Sequence, residues 1–300
     1  MSDESARASA GVTAVAPGLV LIALIVVTGC AATHAGRPPT GVIAFSSGPR
    51  ENDSFADIFT VRSDGTHRRR LTQLLGPEFD PSWSPDGKRL AFRDSRRGIN
   101  ENDEIYAMDG DGSHRENLSH NGANDWSPAW SPNGKWIAYA SESSDGLDIW
   151  RMRPTGRDKM RLTTRGREEY PTWSPDSKRI AFMRLGDIWA MRADGSKAHA
   201  LRTTIEEEGW PAWSPQGDKI AYVVGYEGAR TIWIMNSGDG RDAHAVTKPG
   251  HDDMGVAWSP DGTYLTFSRD GMLTVMRNDG GHPRSLGIRG SLPDWRAGAR

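Results

Sequence analysis

A net charge of −2 over 300 residues leaves no basic footprint for nucleic acid, and 36% apolar with 25% charged content describes a soluble globular chain apart from its start. Asp3, Glu4 and Arg7 contribute −1 of that charge, leaving −1 for the rest, so overall charge steers no partner. The length fits one or two domains.

The first feature along the chain is the run LVLIALIVVTGC, nine unbroken apolar residues from Leu19 to Val27 and then Cys30. That length suits the core of a secretory signal and is short for a membrane span. Val27-Thr28-Gly29-Cys30 resembles the bacterial lipobox, in which the small residue before the cysteine fits a lipoprotein signal peptidase and the thiol is lipidated. Cys30 is the only cysteine, so it cannot be half of an internal disulfide. The competing reading is an uncleaved anchor, since Val27 stands where leucine is commonest and the leader is acidic apart from Arg7. Residues 1–29 are therefore expected to be a lipoprotein signal peptide. Residues 30–40, with Gly36 and Pro38-Pro39, are expected to be a tether, and 41–300 a folded domain outside the cytoplasm.

That domain repeats itself. PSWSPDGKRLAF at Pro81 returns as PAWSPNGKWIAY at Pro128, PTWSPDSKRIAF at Pro171, PAWSPQGDKIAY at Pro211 and VAWSPDGTYLTF at Val256. A worn copy, PDWRAG, closes the chain at Pro293. The tryptophans 83, 130, 173, 213, 258 and 295 lie 47, 43, 40, 45 and 37 residues apart, the period of a four-stranded propeller blade. Each unit reads as strand, Pro-Asp-Gly-type turn, alternating strand, a third strand such as DIFTV, EIYAM or DIWRM, a second turn, and a short fourth strand such as RRLT or ENLS. Residues 41–80 hold a unit lacking its Trp-Ser-Pro strand, and 290–296 hold only that strand. Joined, they complete a sixth blade and leave no open inter-blade edge. The expected fold is all-β: a six-bladed propeller of four-stranded antiparallel blades, closed by the C-terminal strand. The recurrent tryptophan is explained by packing against the neighbouring blade.

Five copies of Trp-Ser-Pro with their DIW-type strands resemble the TolB-type propeller, a WD-like repeat family of exported bacterial proteins. The resemblance covers residues 41–296. It implies a non-catalytic propeller whose channel face docks a partner such as the peptidoglycan-associated lipoprotein. With ten residues between Cys30 and the first strand, no separate N-terminal α/β domain is expected, and in TolB that domain engages the inner-membrane Tol proteins.

Five positions before each tryptophan stand Glu78, Asp125, Glu168, Glu208, Asp253 and then Gly290. In a propeller these positions form a ring at one mouth of the axial channel. Five carboxylates there would hold a calcium ion or a basic peptide segment, or would be solvated loop residues and ties between neighbouring loops. Glu169, Glu206, Glu207 and Asp252 stand beside them. Trp126 and Trp210, outside the repeat grammar, and Phe79 and Tyr170 would place aromatic faces near the ring. No G-x-S-x-G elbow and no H-E-x-x-H pair occurs, and MDGDGSH at Met108 lacks the spacing of a calcium loop.

The expectation is a monomeric, non-catalytic module, lipid-anchored at the cell membrane or outer membrane, that binds an envelope protein or peptide at its channel face. It needs no cofactor beyond a calcium ion at the mouth. The alternatives are a sensory propeller for a sugar or cell-wall fragment, with Trp126 and Trp210 as platforms, and, with least behind it, a propeller lyase or hydrolase using the acids.

Overall fold

The computed structural model describes residues 40–48, 56–73, 76–95 and 102–297; the signal, Cys30 and most of the tether lie outside them. The described residues form 24 strands in six four-stranded antiparallel sheets. Five sheets run in chain order from an inner strand outward. Their inner strands are Glu78–Trp83, Asp125–Trp130, Glu168–Trp173, Glu208–Trp213 and Asp253–Trp258. The first blade is composite: the C-terminal strand Ser291–Ala297 is innermost and pairs with Gly41–Ser47, followed by Asp57–Arg62 and Arg69–Arg70. Ile43 faces Trp295 and Ala44 faces Asp294 across that seam. The closed six-bladed ring expected from the repeat is the ring observed.

The core lies between blades. Each of six apolar clusters draws on two adjacent sheets; Ala44 and Ile58 of the first blade, for example, pack with Trp83, Leu90 and Phe92 of the second. The seam has the same construction, with Leu273 and Val275 of the last blade against Ile43, Phe45 and Trp295. Each indole buries on the order of 200 Å², so every blade depends on its neighbour for most of its apolar burial. Hydrogen bonds add to the staple. Trp173 Nε1 donates to the Ala129 carbonyl and Trp258 Nε1 to the Ala212 carbonyl, both at 3.0 Å. At the seam the Trp83 amide donates to Asp294 Oδ2 at 2.6 Å, and Arg296 lies 4.3 Å over the Trp83 ring.

The Trp-Ser-Pro turns follow from side-chain capping. Ser84 Oγ donates to Asp86 Oδ1 at 2.7 Å and accepts from the Arg89 amide at 2.9 Å. Asn133, Asp176 and Asp261 repeat the role of Asp86. Where Gln216 takes that place, Ser214 turns to Asp218 instead, and Gln216 reaches the Asp261 carbonyl of the next blade. The fourth strands differ in part from expectation. Three stop before the Leu-Thr or Leu-Ser pair, at Arg69–Arg70, Glu116–Asn117 and Met160–Arg161, whereas His199–Arg202 runs through HALR as expected. The hydroxyls of Thr72, Ser119, Thr163 and Thr247 accept the amides of Ile58, Ile105, Ile149 and Ile232 at 2.8–2.9 Å, taking a place the strand ladder would otherwise fill.

Antiparallel alternation puts the turns after first and third strands on one face of the disc, and those after second and fourth strands on the other. The Trp-Ser-Pro face and the face where the inner strands begin are therefore opposite.

Candidate functional site

Each inner strand is bulged at the same point. The third residue of five of them, and the second of Ser291–Ala297, has left-handed backbone: Asp80, Ser127, Tyr170, Trp210, Gly255 and Leu292, with φ between 48° and 58°. The register slips there, between Phe79 and Ser82 in the second blade and between Glu169 and Thr172 in the fourth. Only Gly255 is free of the cost of that conformation; the other five hold it against a penalty of about 1–2 kcal/mol each. These six residues form the waist of the axial channel. Toward the Trp-Ser-Pro face it opens into a cavity of about 610 Å³ lined by Pro81, Pro128, Pro171, Pro211, Val256 and Pro293. Toward the other face lies a smaller cavity of about 370 Å³, lined by Phe79, Arg93, Trp126, Glu169 and Met254 with the waist residues other than Gly255.

The five carboxylates of the sequence pattern are not where a channel ring would need them. Glu78, Asp125, Glu168, Glu208 and Asp253 each begin an inner strand at 0% exposure, and none borders either axial cavity. They are neither solvated loop residues nor ligands converging on the axis. The bulge explains this: the first residue of the strand points into its own blade, and the left-handed third residue is the one turned to the axis. Among the described residues no three His, Cys, Asp or Glu side chains are placed to hold a metal ion.

The buried acids are met in different ways, some from their own blade and some from the preceding one, and Glu78 Oε1, Asp125 Oδ1 and Glu208 Oε2 keep no hydrogen-bond partner. Arg184, the cross-strand neighbour of Glu168, donates from Nε at 2.7 Å, and Thr163 adds a hydroxyl at 3.0 Å. Arg269 grips Asp253 with two bonds of 2.7 and 2.9 Å. Opposite Glu208 stands Val224, and the cation comes instead from Arg202 on the fourth strand of the preceding blade, at 2.7 Å. Glu78 faces another acid, Asp94, and both share Arg115. Burial pushes Glu78 up to about 8 despite that arginine. Asp125 has the polar neighbours Asn121, Ser141 and Ser119 and the acid Glu104, and burial pushes it up to about 6. Glu168 and Glu208 are raised for the same reason. In the sixth unit the acid is Gly290, because Phe45 fills the space: a Cβ there would meet Phe45 Cδ2 at 2.4 Å.

Trp126 and Trp210 do line the channel. Trp126 Nε1 donates to Asp103 at 2.5 Å. Trp210 packs on Tyr170, with ring centroids 4.7 Å apart, and Arg230 lies 5.6 Å from its ring. Arg93, over the Phe79 ring at 4.4 Å, lies 3.9 Å from Asp80 and 3.8 Å from Asp103. Glu169 is half-buried in the smaller cavity; burial raises it, and Glu207 and Asp80 push it the same way. Asp80 and Arg93 are channel residues the repeat spacing overlooked, whereas Glu169 was noted beside the acids. The irregular register at the third inner-strand position would have marked Asp80, had the bulge been legible in sequence.

A family model for the TolB β-propeller domain matches residues 26–208. This chain belongs to the TolB β-propeller family. TolB from Acinetobacter baumannii superposes with a TM-score of 0.72 at 24% identity, over 85% of this chain and 66% of that one. A protein TolB homolog from Chlorobium luteolum is 48% identical over 42 residues, which is 14% of this chain and 10% of that protein. Dipeptidyl-peptidase 5 from Porphyromonas gingivalis is 37% identical over 49 residues, 16% of this chain and 7% of the enzyme. The chain thus matches a tenth or less of the length of these two curated relatives.

Proposed function

We propose that this TolB-type propeller is a non-catalytic interaction module of the bacterial cell envelope, held at a membrane through lipidated Cys30, that binds a partner protein at the mouth of its axial channel opposite the Trp-Ser-Pro face. The observation that carries the reading is the division of labour along the inner strands. The buried acids and the tryptophans hold the ring together, whereas Glu169, Tyr170, Trp126 and Trp210 stand in the channel beyond what the blades need for closure. The absence of a nucleophile elbow from the sequence supports the non-catalytic part, and the lipobox-like Val27–Cys30 supports the tether. A photo-crosslinker at exposed Glu207, beside the mouth, is expected to capture one envelope protein in intact cells. The same group at exposed Lys159, on a turn of the opposite face, is expected not to. Equal capture from both positions, or none from Glu207, would remove the reading. Radiolabelled palmitate incorporation lost on Cys30→Ala tests the tether.

A further inference from the structure

The mouth face is uneven, and its fourth and fifth blades differ from the rest. Among the described residues four large hydrophobic side chains are exposed, and three of them stand here: Leu185 at 65%, Ile205 at 98% and Tyr226 at 62%. Their loops are tied together. The Glu208 amide donates to the Gly186 carbonyl at 2.8 Å, and the Gly225 amide to the Glu207 carbonyl at 2.9 Å. The three side chains therefore sit on adjoining loops, next to the channel. An apolar group of this kind, rimmed by charge, marks an interaction surface.

The charge of that rim is negative. Glu206, Glu207 and Glu227 are exposed on these same loops and make no ion pair within 4 Å among the described residues. The arginines of the sector are already committed: Arg202 to buried Glu208, and Arg230 to Asp252 through bonds of 2.8 and 2.6 Å. One exposed cation adjoins the sector, Arg167, whose carbonyl accepts the Leu185 amide at 3.3 Å, against the three exposed glutamates. Inside the cavity Glu169 has no hydrogen bond or ion pair among the described residues, and the cation that lines the same cavity, Arg93, lies against Asp80 and Asp103 instead. The Tyr170–Trp210 pair forms an aromatic wall of the same cavity. A carboxylate without a counterion beside aromatic faces attracts an ammonium or guanidinium group twice over, by charge and by the ring quadrupole.

We infer that the partner presents a Lys or Arg side chain that enters this mouth to meet Glu169 against the Tyr170–Trp210 wall, while apolar residues of the same segment cover Leu185, Ile205 and Tyr226. This rests on docking at the mouth, and it specifies the chemistry of what docks: a basic segment with apolar flanks.

The test is selection of a random dodecapeptide library on the full-length protein in detergent. Peptides recovered are expected to be enriched in Lys or Arg beside apolar residues. Their binding is expected to fall at least tenfold on Glu169→Gln, and to fall on Tyr226→Ser, with melting temperatures of both variants unchanged. Glu207→Gln, fully exposed, gives a second charge variant whose folding is not at risk, and a smaller loss is expected there. Recovered peptides without basic residues, peptides indifferent to Glu169→Gln, or no peptide binding at all would each overturn the inference. So would a thermal shift with calcium chloride alone that Glu169→Gln abolishes, because it assigns the carboxylate to a metal. If crosslinking from Glu207 captures a protein whose contacting segment has no basic residue, docking at the mouth stands and only this inference falls.

Discussion

At its Trp-Ser-Pro end, the inner strand of five blades repeats one set of contacts: indole against the preceding blade, serine hydroxyl across its turn. At its acidic end, five blades keep a buried carboxylate but neutralise it in different ways. Arg184 and Arg269 come from across the strand pair, Arg202 comes from the outer strand, Arg115 is shared, and Asp125 has no cation. The apolar end depends on shape, which must recur because each indole fills a gap between two similar sheets. The polar end depends on charge balance, which any nearby strand can supply within the reach of a long side chain. A closed ring can therefore drift at one end and not at the other.

Perturbing the two ends should separate them. The largest effect is expected at the seam, where Trp295→Ala removes a buried indole that joins the first and last blades, a loss of about 3–5 kcal/mol by urea unfolding. If the chain unfolds no more readily than the parent, the seam is not what closes the ring. Of similar size is Arg184→Met, which strands buried Glu168, about 3–5 kcal/mol; the double change with Glu168→Leu is expected to recover most of it. No recovery would mean that the pair does more than balance its own charge.

Next comes a pH dependence. Glu78 rises from 4.5 to about 8 in the fold, so the folded state holds a proton that the unfolded chain gives up. Its stabilisation is complete below about 4.5 and is lost as pH rises to 8. Melting temperature should fall between pH 6 and 8, and Glu78→Gln should flatten that slope; an unchanged slope would place the titration elsewhere. Gly290→Ala should cost about 1–3 kcal/mol through the clash with Phe45, whereas adding a methyl at Gly122, with open space around it, should cost little. The smallest change sharpens the comparison most. Asp125→Asn keeps the shape and removes the charge that has no cation, so stability at pH 8 should rise by about 1 kcal/mol, with no gain at pH 4.

What could be read along the chain was whatever recurs in it. The period of the tryptophans, the turn residues and the split of one unit between the termini specified six blades and their closure, because local strand and turn chemistry is repeated faithfully. The same spacing found the five acids, and correctly placed them at one position in five of the six blades, but it assigned them to the channel. Their direction is decided by a bulge two residues later, and Asp80, Ser127, Tyr170, Trp210 and Leu292 share no side-chain type that would announce it. Left-handed backbone at those residues is imposed by the crowding of six inner strands around one axis, a constraint absent from any single blade. For the same reason the cation that meets each acid, and the carboxylate left in the cavity without one, emerge only when strands distant in sequence are brought side by side.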